Sequence, residues 1–308
     1  MTVTRRKFVA KSSILVATTA LAGTAPSVVW ATSRLALGDV TIDVLSDGRL
    51  TLPGSFMFDG MPERELGEIL GRFGLSRDQV TPDCNLTLVR DGKRTILFDV
   101  GAGPNFQPTA GKLSEAMEAQ NIAPDDVTHV VFTHAHPDHL WGLLDEFDDP
   151  LFPNAHYMIG KAEWDYWIDP ATVQTIGAER QAFAVGAARR LKAMEERMTF
   201  FRAGEEILPG VHARDTTGHT PGHMSFEIRS GSNSVMIIGD AVTNIHVAFE
   251  KPQWLSGSDQ DRELGAKTRV LLLDQLAAEK MQIIGYHMPF PGIGYVEKKD
   301  SGFRFIAS

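Results

Sequence analysis

Four residues that can bind a metal ion lie within six positions of this chain. They are His134, His136, Asp138 and His139, and they follow an apolar run that ends at Thr133. The chain has only ten histidines in 308 residues, and a buried imidazole or carboxylate needs a partner, so packing gives no reason to gather them here. Imidazole nitrogen and carboxylate oxygen suit Zn²⁺, with Fe, Mn or Co as substitutes. The spacing therefore predicts a metal site.

The elements around this segment must position the four side chains. Residues 128–133 have the apolar, β-branched character of a buried strand. His134 and His136 lie two apart in extended backbone at its end, so they point to the same side and can share one ion. Pro137 is well placed to open a helix. Asp138 and His139 then lie in its first turn, directed away from the pair, where a second ion can bind.

The segment His134-Ala-His136-Pro-Asp138-His139 resembles the HxHxDH signature of the metallo-β-lactamase superfamily. Three later segments resemble further motifs of that family in the same order, at residues 217–223, 235–240 and 285–287. The resemblance extends over roughly residues 40–295, and four ordered motifs make it specific. It implies an α/β fold, the αββα four-layer sandwich, with metal ions at the sheet edge.

The same resemblance implies a set of ligands and a chemistry. The first ion is expected on His134, His136 and His223, the second on Asp138, His139 and His287, with Asp240 shared between them. The expected reaction is hydrolysis by a hydroxide that bridges two zinc ions. Asp138 and Asp240 are the expected catalytic carboxylates, in addition to binding metal.

The remaining histidines have other interpretations. His219, four positions before His223, is expected to shape the loop or to bind a ligand from outside the metal shell. His129, His156 and His212 lie in or beside predicted strands and are interpreted as structural residues. His246 follows Asp240 by six positions and either faces the pocket or packs.

Three other features were weighed against core packing. Asp47, in an Asp-Gly pair, is interpreted as a turn residue or a support for the site. Cys84 is interpreted as a packed small hydrophobe, because the chain has no second cysteine to pair with it. Aromatic and methionine residues at 56–58, 164–167 and 254 either line an apolar cleft or belong to the core.

The resemblance is to the methyl parathion hydrolase and quorum-quenching lactonase branch of the superfamily. Acyl-homoserine lactonases usually have a tyrosine three residues after the shared Asp, where this chain has Thr243. The departure favours the methyl parathion hydrolase-like group and predicts a small-molecule ester substrate: a lactone, aryl ester or phosphotriester. An iron-bearing redox enzyme such as a persulfide dioxygenase, a β-lactamase and a zinc-holding binding protein are the alternatives. Residues 57–72 resemble a family extension that crosses a dimer interface, which admits a homodimer.

The first 31 residues form a predicted export signal. Arg5 and Arg6 precede an Ala-rich apolar stretch at 12–25, and no acidic residue occurs before Asp39. This pattern is typical of a twin-arginine signal peptide, with cleavage after Ala31 or Ala25. The stretch is too short and too rich in Thr and Ser for stable membrane insertion, although an uncleaved anchor is the alternative. The prediction is therefore a hydrolase domain at 32–308, located in the periplasm or secreted.

Charge and cysteine content exclude other classes. Residues 32–308 hold 26 basic and 39 acidic residues, a net charge of −13. A surface of that sign argues against nucleic-acid binding. The one cysteine excludes an internal disulfide framework.

Periodicity and turn residues give the expected elements. Strands are predicted at 39–45, 86–90, 95–99, 128–133, 156–159, 211–216, 224–229, 234–238 and 281–284. Helices are predicted at 113–120, 172–197 and 259–280.

Overall fold

Two seven-stranded sheets form the centre of the protein, which is described by a computed structural model covering residues 33–308. The predicted signal at 1–31 lies outside the described residues. The strands are β1 Ser33–Leu37, β2 Val40–Arg49, β3 Leu52–Pro53, β4 Gln79–Val80, β5 Asp83–Arg90, β6 Thr95–Phe98, β7 His129–Val131, β8 His156–Gly160, β9 Met198–Phe201, β10 Glu206–Leu208, β11 Val211–Asp215, β12 Met224–Ser230, β13 Asn233–Ile237, β14 Gln282–Ile284, β15 Ile293–Lys299 and β16 Gly302–Ala307. The α-helices are α1 Ser55–Phe58, α2 Glu63–Phe73, α3 Leu113–Ala119, α4 Pro137–Leu140, α5 Lys161–Ile168, α6 Thr172–Thr175, α7 Gln181–Ala193, α8 Val247–Glu250 and α9 Arg262–Glu279.

The sheets follow the chain almost in order. The first has the order β1-β2-β5-β6-β7-β8-β9, antiparallel up to β6 and parallel from β6 to β9. The second runs β10 to β16 in sequence order, with one parallel pair between β13 and β14. The strands β3 and β4 form a separate small ribbon.

Three apolar clusters separate the layers. Residues from both sheets, such as Ile42, Phe98, Phe226 and Ile237, form the layer between them. The outer face of the first sheet packs against α3, α5 and α7, and the outer face of the second packs against α9. Strands covered on both faces read as continuous apolar runs rather than alternating ones, as residues 235–238 do. The predicted αββα sandwich is confirmed.

One predicted helix is wrong and several elements were missed. Residues 172–197 do not form a continuous helix, because Gly177 has a φ of 98° and separates α6 from α7. The hairpin of β15 and β16 was missed because the charged residues at 297–300, which hide its apolar alternation, are exposed at its turn. Within residues 33–308, no helix is both long and apolar enough to cross a membrane.

Candidate metal centre

The predicted ligands meet where strands of both sheets end. The loop after β7 carries His134 and His136, and α4 begins at Pro137, as predicted, and carries Asp138 and His139. Asp240 follows β13 and His287 follows β14. The parallel pairing of β13 with β14 places those last two loops side by side. All of these side chains are at least nine-tenths buried.

Three imidazole nitrogens converge on one side of this cluster. His136 Nδ1 lies 3.0 Å from His134 Nε2 and 2.9 Å from His219 Nε2. Thr133 Oγ1 donates to Asp99, so it accepts from His134 Nδ1, and His219 Nδ1 donates to Asp259 at 3.2 Å. When the proton of a neutral ring lies on Nδ1, its Nε2 carries a lone pair that can bind a metal ion. Three imidazole nitrogens packed this closely fit a shared metal ion.

The other ring nitrogen of His136 faces Gln260. Its Nε2 lies 3.2 Å from the side-chain amide of Gln260, whose buried oxygen is otherwise without a partner among the described residues. Turning the amide so that its oxygen accepts from the His136 Nε2 proton leaves Nδ1 free to bind an ion. Burial, with the neighbouring imidazoles, holds the pKa of His134 and His136 well below its usual range. Both rings are therefore neutral, the form in which imidazole binds metal.

The position of His223 differs from the prediction for it. Its Nε2 accepts from the backbone N–H of Asp240 at 2.9 Å, and its Nδ1 donates to the carbonyl of Thr216 at 3.1 Å. Both ring nitrogens are thus occupied by the backbone, and it is His219 that lies with His134 and His136. Burial lowers the pKa of His223 to about 3, which keeps the ring neutral. In the loop from 217 to 223, His219 therefore faces the metal centre, and His223 holds the backbone of Asp240 through a hydrogen bond.

The tertiary packing of this loop explains why His219, and not His223, lies beside His134 and His136. Gly218 has a φ of 128°, and a Cβ there would lie 2.4 Å from the backbone nitrogen of Gly265 in α9. This close approach docks the loop on the helix start, where Gln260 N donates to the carbonyl of His219. Asp259, held by Arg269 at 3.1 Å, is then in reach of His219. A carboxylate that orients a ligating imidazole is a common support of metal sites.

The other side of the cluster combines imidazoles with carboxylates. Asp240 lies 3.2 Å from His139 Nε2 and 3.1 Å from His287 Nε2, and Asp138 lies 3.2 Å from the same His287 atom. Backbone and carboxylate acceptors fix both rings, since His287 Nδ1 donates to the Asp83 carbonyl and His139 Nδ1 to Asp99, each at 2.8 Å. Both Nε2 atoms face the carboxylates.

The electrostatics on this side favour a cation. Burial opposes charge on His139 and His287, but the carboxylates of Asp240 and Asp138 outweigh it and raise the pKa of both rings well above the usual value. Three buried atoms here have no hydrogen-bond partner among the described residues: Asp138 Oδ2, His139 Nε2 and Asp240 Oδ1. Buried polar atoms without partners are rare in folded proteins. Their convergence fits a divalent ion on this side as well.

Two further carboxylates brace the ligand loops. Glu163, fully buried, accepts from Ala135 N in the first loop and from Thr220 Oγ1 and Gly222 N in the loop of His219. It therefore joins the loop of His134 and His136 to the loop of His219. Asp47 accepts from three backbone N–H groups at 102, 111 and 113, which agrees with its interpretation as a turn and support residue.

A cleft opens from the centre to the surface. A small chamber of about 40 Å³ is bounded by His136, Asp138, His219, Asp240 and His287 together with apolar side chains. Met57, Thr243 and His287 also bound an adjoining cleft of about 390 Å³. The cleft is further lined by Phe58 and His246, so those residues contribute to a pocket, whereas Trp164 and Trp167 lie in the core.

A family model of the metallo-β-lactamase superfamily matches residues 81–280. The chain belongs to the metallo-β-lactamase superfamily. Among curated relatives, metallo-beta-lactamase domain-containing protein 1 of Xenopus laevis is 28% identical over 172 residues, which are 56% of this chain and 55% of that protein. The chain thus spans about half the length of that curated relative.

Two solved structures of the superfamily resemble this chain over most of its length. AidC, a dizinc quorum-quenching lactonase in complex with a product, N-hexanoyl-L-homoserine, has a TM-score of 0.85 at 26% identity, covering 91% of this chain and 98% of that one. The hydrolase AbOPH, of the beta lactamase superfamily, has a TM-score of 0.83 at 29% identity with the same coverage. The predicted superfamily and its lactonase-like branch are confirmed by these similarities.

Proposed function

We propose that this superfamily member is a hydrolase of ester-type bonds that uses two divalent ions, with zinc as the native metal. The observation that carries the proposal is the convergence of three imidazole nitrogens, from His134, His136 and His219, beside the carboxylate of Asp240. Imidazole nitrogen with carboxylate oxygen is the donor set that zinc prefers in hydrolases. Similarity to a dizinc lactonase supports the same choice.

The residues divide into two sets around one shared carboxylate. His134, His136 and His219 would hold the first ion, and Asp138, His139 and His287 the second, with Asp240 between them. Asp240 Oδ2 lies 3.3 Å from His219 Nε2 and 3.1 Å from His287 Nε2, so one carboxylate reaches both sets. Relative to the sequence prediction, His219 takes the place of His223.

Two bound divalent ions would supply activated water at neutral pH and polarise the carbonyl or phosphoryl oxygen of a substrate. Asp138 Oδ2, which is buried and has no hydrogen-bond partner within residues 33–308, is placed to accept the proton of the attacking water. The carboxylates of Asp138 and Asp240 also offset positive charge in a centre that excludes bulk solvent. Tyr286 Oη donates to the Asp138 carbonyl at 2.6 Å, which fixes the backbone of this base.

The cleft favours uncharged substrates with an apolar group. The chamber beside the ligands is lined by Leu50, Leu52, Phe56, Phe106 and Phe183. Burial of apolar substrate surface against such walls contributes about 25 cal/mol per Å². Thr243 lines both the chamber and the cleft and offers a hydroxyl to the substrate. Lactones, aryl esters and phosphotriesters meet this description.

A substrate panel on metal-loaded protein tests the proposal. Lactone, aryl ester, phosphotriester and β-lactam would be assayed together, with the Asp240→Ala variant as the matched control for contaminating esterases. We expect turnover of lactone and aryl ester, some turnover of phosphotriester, and near-background turnover of β-lactam. Efficient hydrolysis of β-lactam alone, or oxygen consumption by an iron-loaded form without ester hydrolysis, would contradict the proposal.

A further inference from the structure

Cys84 lies at the metal centre rather than simply in the core. It is fully buried at the start of β5, and its Sγ, a carboxylate oxygen of Asp138 and a ring nitrogen of His287 all lie within 4.8 Å of one another. Leu86 and Leu88 share its face of the strand and belong to the apolar cluster beneath α3 and α5. Of the three residues on this face of β5, Cys84 is the one that lies beside Asp138 and His287.

The backbone holds Cys84 firmly against the loop of His287. Asp83, on one side of it, accepts from His287 Nδ1 through its carbonyl at 2.8 Å and from Phe290 N through its carboxylate at 3.0 Å. Asn85, on the other side, donates through Nδ2 to the carbonyls of Gly285 and Met288. Residues on both sides of Cys84 are therefore hydrogen bonded to the loop that carries His287, which holds the thiol beside that ring.

Packing alone does not account for this arrangement. A thiol that serves only as a small hydrophobe needs apolar neighbours, but Cys84 faces a carboxylate whose Oδ2 atom is buried and has no hydrogen-bond partner among the described residues. Ligand atoms around a tetrahedral zinc ion, at about 2.0–2.3 Å from the metal, lie about 3.3–3.8 Å from one another. The three atoms, each within 4.8 Å of the others, would draw together to that spacing around one ion.

We propose that Cys84 is a ligand of the second ion, so that this half of the centre has a mixed sulfur, oxygen and nitrogen donor set. When the ion binds, the thiol loses its proton to solvent and the sulfur forms the bond to the metal. Thiolate sulfur favours softer ions. The second half should therefore prefer ions such as Cd²⁺, or Zn²⁺ and Co²⁺, over Mn²⁺. The inference rests on the proposed two-ion centre, but not on which ester is cleaved.

Cobalt substitution tests this directly, because thiolate bound to Co²⁺ gives a near-ultraviolet charge-transfer band that imidazole and carboxylate do not give. The chain has one cysteine, so any such band arises from Cys84. We expect the full-length protein to gain the band as the second equivalent of Co²⁺ binds, and we expect Cys84→Ser and Cys84→Val to lack it. Two variants are used so that the result does not depend on how a single replacement packs, and circular dichroism of each establishes that it is folded.

A matched control moves the thiol within the same strand. Thr87 is also buried in β5, but odd and even positions of a strand face opposite sides, so the double variant Cys84→Ser with Thr87→Cys keeps one buried thiol away from the ligands. It should give no band. A wild-type protein that binds two Co²⁺ without the band would overturn the proposal, as would a band that persists in both Cys84 variants.

The outcome is separable from that of the proposed function. A charge-transfer band in a protein that hydrolyses none of the panel substrates would support the ligand and refute the hydrolase. Ester hydrolysis by a two-cobalt protein without the band would support the hydrolase and refute the ligand.

Discussion

The paired variants His219→Gln and His223→Gln separate a metal ligand from a structural histidine four residues away. Both replace a buried ring in the same loop with the same neutral amide, so each serves as the control for the other. The structure predicts opposite effects. His219 directs its Nε2 atom at His136 Nδ1, 2.9 Å away, whereas His223 directs both nitrogens at backbone groups.

The magnitudes follow from what each ring contacts. Loss of His219 removes one of three nitrogens from the first ion, so we expect a loss of metal affinity larger than the roughly 10–100-fold typical of a supporting residue. Loss of His223 disturbs two hydrogen bonds to backbone groups, at about 0.5–1.5 kcal/mol each, so the free energy of unfolding should fall by about 1–3 kcal/mol.

Two measurements distinguish these effects. Elemental analysis after dialysis gives the number of bound ions, and urea unfolding of the metal-free proteins gives their stability. We expect about one ion in His219→Gln and two in His223→Gln, and the metal-free His223→Gln variant should be less stable than the metal-free wild-type protein. If His223→Gln loses an ion and His219→Gln retains both, the assignment from the structure is refuted and the one from the motif stands.

Four further predictions concern other residues. Asp240→Ala should lower both turnover and metal content by orders of magnitude, since this carboxylate faces both ligand sets; near-native turnover with two ions bound would contradict its shared position. Thr243→Ala should lower turnover only about two- to tenfold, the effect of one hydrogen bond, and a complete loss would assign Thr243 a larger role. Glu163→Gln should destabilise the metal-free protein by about 1–3 kcal/mol in urea unfolding, because one amide oxygen replaces two acceptor oxygens, and an unchanged midpoint would show that Glu163 does not brace the loops. Replacing Arg5 and Arg6 with Lys should block export in a fractionation assay, because the twin-arginine route reads guanidinium groups, and normal export would favour another route.

Most of what could be predicted about the metal centre follows from the spacing of its residues along the sequence. His134 and His136 follow a strand at an interval of two, and Pro137 opens a helix that presents Asp138 and His139, so this arrangement depends on neighbours in sequence. The two-sheet architecture follows from apolar residues that recur at alternate positions along strands such as β5 and β12. The break at Gly177 comes after the β-branched stretch 172–176, which is a poor helix former, but only the structure shows that the positive φ of this glycine separates two helices.

The sequence by itself determined which donor types are present, their order and the fold that brings them to one sheet edge. It did not determine which histidine of the loop at 217–223 faces the metal centre, because irregular backbone has no period from which side-chain direction follows. That choice depends on contacts distant in sequence: the close approach of Gly218 to α9, the bond from His219 to Asp259, and the hydrogen bond from Asp240 N to His223. Cys84 reaches the centre for the same reason, since its distance from His287 is set by hydrogen bonds between residues about 200 positions apart. Tertiary packing alone decides such distances, because each depends on how two separately folded segments dock.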